Sequence, residues 1–311
     1  MNAAGITAHG GLDKLAYVAV PRPQPGAGEV LVRVHAAAIT PTESSWSGTW
    51  KTRAGADRRF PIIPGHEFAG VVVALGPDVT DLAVGDAVYG FNDWDRQSAQ
   101  AEYCLARPAQ VAPKPHSLDF VQASEVPISA LTAWQALFDH ARLAAGQRVL
   151  VHGATGGVGA FAVQLAHRAG AHVIATASTH NLDFARELGA DEAIDYTTTR
   201  VEVVVRDVDV VLDTVGGETQ MRSWGVLKSG GILVSLVAAP SQEQTAAHGV
   251  RGAFFVVEPD RGQLVELGRL IDTEQLRPVV EAVYPLEQVR EAYGRAQGGR
   301  MRGKIVLQVG G

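Results

Sequence analysis

The sequence predicts an α/β chain in which a doubly wound parallel sheet is set into a β-rich domain. Three observations predict it. Arg148–Gly170 (RVLVHGATGGVGAFAVQLAHRAG) reads as strand, glycine-rich turn and helix in that order. From about Asp119 to Val257, strand and helix patterns alternate, the signature of a parallel sheet with helices on both faces. The first 118 or so residues instead carry short strands and turn signals at high density, which suggests a partly open barrel or a sandwich.

In chain order, Pro21, Pro23, Pro25, Gly26 and Gly28 mark a loop before the strand Glu29–Ala38, where Val30, Val32 and Val34 share a face. A second strand, Glu67–Leu75, carries Val71, Val72 and Val73 and ends at Gly76-Pro77-Asp78. Leu82–Gly90 holds a Val-Gly-Asp turn and a strand, and Ala101–Ala106 reads as one more. Pro113 and Pro115 punctuate a boundary, after which Ser129–Ala141 reads as helix.

The glycine segment opens on Val149-Leu150-Val151, apolar enough for a strand buried on both faces. Gly153, Gly156 and Gly159 follow, with Gly157 between them. Val158, Phe161, Ala162, Leu165, Ala166 and Ala169 then recur at helical spacing, and Gly170 stands at the helix C-cap. Beyond it come strand His172–Ala177, helix Leu182–Leu188 and strands Glu192–Asp195 and Asp209–Asp213. Helix Glu218–Leu227, strand Ile232–Leu236 and a closing strand Ala253–Val257 complete the alternation. The tail, with helix Gln263–Ile271, the helical stretch Pro285–Gln297 and strand Lys304–Val309, is too short to fold alone. It is expected to rejoin the first domain, giving residues 1–125 completed by 259–311 around a nucleotide-binding domain at 126–258.

Composition narrows the partners. Of 311 residues 46% are hydrophobic, and the net charge is -6 with both signs interspersed, which argues against nucleic acid and for small molecules. No run of about 18 apolar residues suggests a membrane span, and no secretory signal stands at the N-terminus. The single cysteine, Cys104, excludes an intrachain disulfide and fits a reducing, cytoplasmic setting.

A strand, glycine turn and helix form a cradle for a dinucleotide pyrophosphate, because glycines let the backbone approach the phosphates and the helix N-terminus offers free N–H groups. The spacing here is GxxGxxG rather than GxGxxG, and a tight turn that binds nothing is the plain alternative. An NAD-preferring site carries an acidic residue about 20 positions beyond the turn. That place holds Ala177-Ser178-Thr179, and a hydroxyl, unlike a carboxylate, can donate to a 2′-phosphate. No basic residue follows the serine; His180 and Asn181 stand there, leaving Lys304 or Arg302 to supply positive charge.

The segments PGAGEVLVRVHAAAITP, FPIIPGHEFAGVVVALG, VGDAVYG, LTAW, VHGATGGVGAFAVQLA, LGADEAIDY, DVVLDTVGG, LKSGGILVSL and MRGKIVLQV together resemble the medium-chain dehydrogenase/reductase superfamily. Within it they are similar to the zinc-independent quinone oxidoreductases, the zeta-crystallin-like branch. The resemblance implies a Rossmann-type domain inserted in a GroES-like domain, and NADPH as cofactor. It implies backbone N–H groups of Gly156, Gly157 and Val158 at the phosphates and Ser178 and Tyr196 beside the 2′-phosphate. It also implies Thr132 of the LTAW segment at the nicotinamide, although helix capping or plain packing explains that threonine equally well.

Gly65-His66-Glu67-Phe68-Ala69-Gly70 resembles the zinc alcohol dehydrogenase signature. A catalytic zinc needs three protein ligands and an open position. The cysteine expected near the end of the first long strand is replaced by Ile39-Thr40-Pro41-Thr42, so no metal is expected and His66 is a pocket residue. The reaction expected is metal-independent hydride transfer to a quinone or to the β-carbon of an α,β-unsaturated carbonyl. Thr40 and His66 are the candidates to meet the developing oxygen charge, and Trp46, Trp50 and Trp94 to stack on a planar substrate. The rivals are a zinc-dependent alcohol dehydrogenase and a non-catalytic NADPH-binding sensor or structural protein. A homodimer paired through the apolar edge strand Ala253–Val257 is also implied.

Overall fold

Val30, Val32 and Val34 are buried, as one strand face requires, and Leu31 and the alanines that follow are buried too. Only Arg33 breaks to solvent within this strand. It therefore lies between layers on both sides, not on a half-solvated sheet. The computed structural model describes residues 1–52, 54–94, 99–299 and 301–310, and the chain divides into two units, Met1–Ile128 with Pro259–Gly311, and Ser129–Glu258.

The strands of the first unit's N-terminal part are β1 (Asn2–Ile6), β2 (Leu15–Ala19), β3 (Val30–Ala38), β4 (Glu67–Leu75), β5 (Ala87–Phe91), β6 (Tyr103–Ala106) and β7 (Val111–Pro113). The second unit contributes β8 (Arg148–His152), β9 (His172–Ala177), β10 (Glu192–Asp195), β11 (Val208–Asp213), β12 (Leu227–Ser235) and β13 (Arg251–Phe254). The C-terminal segment adds β14 (Val280–Pro285) and β15 (Lys304–Gln308).

In the first unit the strands run in the order β14-β15-β3-β4-β5-β7, with β6 also paired to β3 and β1-β2 forming a separate ribbon. The tail closes this sheet: β15 lies parallel to β14 and antiparallel to β3. Phe68, Ile39, Val32, Val88 and Leu307 meet in its core. In the second unit all strands are parallel, in the order β10-β9-β8-β11-β12-β13. The direction of winding reverses between β8 and β11, and ligands bind such sheets outside the carboxyl ends of the strands at that point. β11 is buried along its whole length, as a strand covered on both faces must be.

Several element limits differ from the sequence reading. The helix expected over Glu218–Leu227 stops at Ser223; a 3-10 turn, Trp224–Val226, buries the Trp224 indole, and β12 begins at Leu227. The strand expected over Ala253–Val257 starts two residues earlier and ends three earlier, at Arg251–Phe254, in register with Ile232–Ser235 of β12. The helix expected over Ser129–Ala141 is α-helical over Val126–Trp134 (α1) and widens to a π-turn over Gln135–His140. β1, β2 and β14 lack clear apolar alternation and are added by pairing rather than by pattern.

Candidate active site

The cradle is built at the end of β8, where the three glycines do three different jobs. Gly153 has φ 66°, a left-handed conformation that favours glycine, and a Cβ there would collide with the Thr214 hydroxyl. A Cβ at Gly159 would overlap the Gly153 carbonyl oxygen, so this glycine lets the helix Gly157–Arg168 (α2) close onto the turn. Gly156 is different. Its backbone is ordinary extended, and the nearest atom to an added Cβ is 3.6 Å away, an ordinary contact. Nothing in the protein's own packing requires glycine there; a pyrophosphate lying against the backbone would. The first-turn N–H groups of α2 lack intrahelical partners by helix geometry, and Gly156 caps them with no side chain. These residues fit a dinucleotide.

The turn is held from below by groups that motif reading did not single out. The Gly153 N–H donates to Thr176 Oγ1 (3.3 Å), and the Thr214 hydroxyl donates to the His152 carbonyl (2.8 Å). The His152 ring lies between Thr176 Oγ1 (3.2 Å) and Ser223 Oγ (2.9 Å). Burial pushes its pKa down to about 4, so the ring is neutral near pH 7. Asp213 is fully buried and accepts from the N–H groups of Val215 and Gly216 (3.0 and 2.8 Å), which shapes the loop after β11.

Beside the cradle lies a cavity of about 360 Å³, its walls formed by Leu150, Gly153, Tyr196, Val215, Arg200 and Arg222. Tyr196 is half-exposed in this wall. Ser178 follows β9, is buried, and leaves the short turn Thr179–Asn181 without a side-chain cap. Arg200 pairs with Glu202 (2.6 Å) and Arg222 with Glu218 (2.6 Å) at the rim. A carboxylate does stand one strand over from Ser178. Asp195, in register with Ala177, accepts from the hydroxyls of Thr179 (2.5 Å) and Thr197 (2.6 Å). Those bonds hold its carboxyl below the usual range. Thr132 is buried on α1.

Lys304 does not meet the expectation of a cationic partner for a cofactor phosphate. At 6% exposure it is buried in the first unit, where its ammonium donates to Glu67 and lies 3.4 Å from Thr40 Oγ1. The strand β15 that completes the sheet carries it there. Glu67 has no exposed surface, and its second oxygen accepts the Ile128 N–H at 2.9 Å. Burial raises its pKa, opposed by Lys304.

His66, the residue before Glu67, is buried. Its Nε2 lies 3.5 Å from Glu43 Oε1, and the Gly65 N–H donates to the same oxygen at 2.8 Å. Burial first, and then Arg58, lower the imidazole pKa to about 4, so it is neutral near pH 7. Trp94 packs on the ring (centroids 4.6 Å apart), and Trp46 meets Trp94 edge-on at 5.4 Å. Two of the three candidate tryptophans thus gather at His66. Trp50 turns elsewhere, against His9 at 4.8 Å, with its indole N–H bonded to the Ser44 carbonyl (3.0 Å). Sequence reading overlooked Glu43, although an acidic residue just beyond Thr40 was a usable signal. In the segments that carry these tryptophans, residues 53 and 95–98 lie outside the described residues.

The donors among the described residues do not assemble a metal centre. Among the described residues no group of three or more His, Cys, Asp or Glu side chains could hold a metal ion. The only thiol, Cys104, is buried, and burial pushes its pKa up to about 12, far from a ready thiolate ligand.

The matches to known proteins run across both units. Residues 26–117 match the family model of the alcohol dehydrogenase GroES-like domain, and residues 188–307 match that of a zinc-binding dehydrogenase domain. A probable zinc-binding oxidoreductase, mitochondrial, of Arthroderma benhamiae is 37% identical, over 93% of this chain and 91% of its own. An NADPH-dependent alkenal/one oxidoreductase, chloroplastic, of Arabidopsis thaliana is 34% identical, over 90% of this chain and 72% of its own. The solved structure of the quinone oxidoreductase from Coxiella burnetii superposes with a TM-score of 0.92 at 31% identity, covering 100% of this chain and 99% of that one. With a glycine cradle of this geometry and relatives of this kind along its length, the chain is an oxidoreductase that uses a nicotinamide cofactor, and it belongs to the medium-chain dehydrogenase/reductase superfamily, in its quinone-oxidoreductase-like branch.

Proposed function

We propose that this chain catalyses the NADPH-dependent, metal-independent reduction of quinones or α,β-unsaturated carbonyls by hydride transfer. The observation that carries the reading is Gly156, a glycine that the fold does not need and a bound pyrophosphate does. Bound there, the cofactor supplies hydride, and the protein supplies position and charge. Gly153, Gly157, Val158 and Gly159 surround the phosphates through backbone alone. The cavity walled by Tyr196 and Val215 takes the adenosine end.

NADPH rather than NADH is favoured by Ser178 at the end of β9, where a carboxylate would repel a 2′-phosphate. Arg200 and Arg222 at the cavity rim, now paired with Glu202 and Glu218, are the cations that take the role expected earlier of Lys304 by exchanging a carboxylate partner for the 2′-phosphate. In the β-rich unit, His66, Trp46 and Trp94 form the aromatic wall for a flat acceptor, and Thr40 is the hydroxyl nearest the buried Lys304–Glu67 pair. The Arabidopsis relative, by its name, acts on alkenals and alkenones with NADPH, which supports the same class here. Metal independence rests on the donor set, in which Thr40 stands where a ligand cysteine would be needed. A homodimer paired through β13 is the assembly that would cover its edge and the exposed Phe254 and Val256.

The test is NADPH consumption with 1,4-benzoquinone, 9,10-phenanthrenequinone and 2-alkenals, with and without a chelator and with NADH in parallel. Turnover that prefers NADPH and ignores the chelator is expected. Loss of activity on chelation, restored by zinc, would favour the alcohol dehydrogenase rival. Tight NADPH binding with no turnover of any acceptor would favour a cofactor sensor.

A further inference from the structure

We propose that Glu43 and His66 form a proton relay that brings a proton from a second cavity, inside the β-rich unit, to the substrate oxygen left negative by hydride transfer. The proposal rests on the reductase reading above and adds the source of the proton. Hydride addition to an enone or quinone leaves an anionic oxygen, and the reduction is complete only when a proton follows.

Four observations carry it. His66 is buried, and among the described residues its Nδ1 has no hydrogen-bond partner, a buried polar atom of the kind that calls for one. Its other nitrogen faces Glu43 Oε1 at 3.5 Å. Glu43 itself is buried and held in place by the Gly65 N–H, on the residue next to His66. Finally, Glu43 lines a cavity of about 90 Å³ together with Ile6, Leu12, Trp50, Tyr293 and Gln297, and His66 is not part of that wall. A site of about 10–15 Å³ by this kind of measure accommodates one water, so the cavity has room for several. Among the described residues Glu43 is the only carboxyl in its lining, and it is the group that links the cavity to the imidazole.

The transfer balances as follows. The reduced substrate's oxygen takes the Nδ1 proton of neutral His66, while Nε2 receives the carboxylic acid proton of Glu43. Glu43 is left as carboxylate and regains a proton from water entering the cavity; rotation or tautomer exchange resets the ring. No oxidant or reductant beyond the hydride donor is required. The charged and titratable groups facing the relay suit it. Glu43 sees Lys304, Glu67 and the Tyr293 phenol, and His66 sees Arg58 and Asp93. Burial raises the Glu43 carboxyl to about 7, so it carries a proton in a large share of molecules near neutral pH and can exchange it.

The test compares wild type with Glu43→Gln and His66→Gln, using an alkenone and NADPH. Each variant is expected to bind NADPH with unchanged Kd, to lose at least tenfold in kcat, and to lose the pH-dependent limb of kcat near 7. The double variant is expected to lose no more than either single one, because the two groups act in series. Independently of activity, protein labelled with carbon-13 at glutamate carboxyls should show a resonance, absent in E43Q, that titrates near neutrality. Should E43Q fail to fold, Glu43→Asp serves for that assignment and for the pH profile. Wild-type kcat and pH profile in E43Q, strictly additive losses, or a Glu43 carboxyl already ionised at pH 6 would each overturn the relay while leaving the reductase reading standing. A wild-type protein that titrates at Glu43 but reduces no acceptor would instead overturn the reductase reading, and the relay with it.

Discussion

Replacing Glu67 by glutamine tests the buried pair that closes the β-rich unit. Glutamine matches glutamate in volume, so no cavity opens, but the charge is lost and one acceptor oxygen becomes an NH2 donor facing either Lys304 or the Ile128 N–H. Lys304 would keep its ammonium at 6% exposure, with Thr40 Oγ1 at 3.4 Å as its remaining neighbour and an amide group where its counter-ion stood. Removing one partner of a buried ion pair costs about 3–5 kcal/mol, because the other charge stays desolvated. A domain of 150–250 residues shifts its Tm by about 2–4 °C per kcal/mol, so E67Q should melt some ~6–20 °C below wild type. Removing both charges, as in Glu67→Leu with Lys304→Met, should recover most of that loss, since replacing a buried pair by apolar groups is often neutral. Scanning calorimetry or circular dichroism reads both. If E67Q melts within a degree or two of wild type, or if the double variant is worse than the single one, the Lys304–Glu67 pair does not stabilise the unit as argued.

Three further outcomes follow from the same geometry. Gly159→Ala should destabilise the nucleotide unit by several kcal/mol, because its Cβ would overlap the Gly153 carbonyl oxygen. Gly156→Ala should leave Tm nearly unchanged yet weaken NADPH binding at least tenfold, and equal effects of the two in a melt and a fluorescence titration would refute the division of roles. Ser178→Asp should move the ratio of NADPH to NADH kcat/KM toward NADH; an unchanged ratio would show that selection lies with other residues. Stability should decline from about pH 6.5 to 8. Glu43 and Glu125 have folded-state values raised by burial from 4.5 to about 7 and about 8, so the native state binds their protons more tightly and loses that advantage as pH rises through those values. His66 and His152, lowered from 6.5 to about 4, act oppositely and only below 6.5, where stability is lost as pH falls toward 4. Urea midpoints that rise between pH 6.5 and 8 would contradict this.

The nucleotide unit was largely legible in the chain. Its central strands β8, β9 and β11 are buried on both faces and so read as apolar runs, and His172–Ala177 and Glu192–Asp195 have the limits the pattern predicts. Gly153 and Gly159 stand where backbone geometry leaves few other residues possible. Less legible were elements whose place comes from a partner strand. β1, β2 and β14 are short, with little apolar alternation, and the start of β12 at Leu227 depends on pairing with β11 rather than on any local signal.

At the candidate site the same division holds. Residue type alone marked Thr40, His66 and Ser178, because the chemistry of a thiolate, an imidazole or a carboxylate is present or missing at a known place along a motif. It could not show that Lys304, distant in sequence from Glu67, becomes its buried counter-ion, nor that Asp195 is carried beside Ala177 by strand register. Nor did it reveal that Glu43 stands between His66 and a cavity. Local motifs are written in backbone conformation and side-chain chemistry, both properties of neighbouring residues. Burial, ion pairing and the pKa values they shift depend on groups brought together from far along the chain, and those exist only once the sheets have formed.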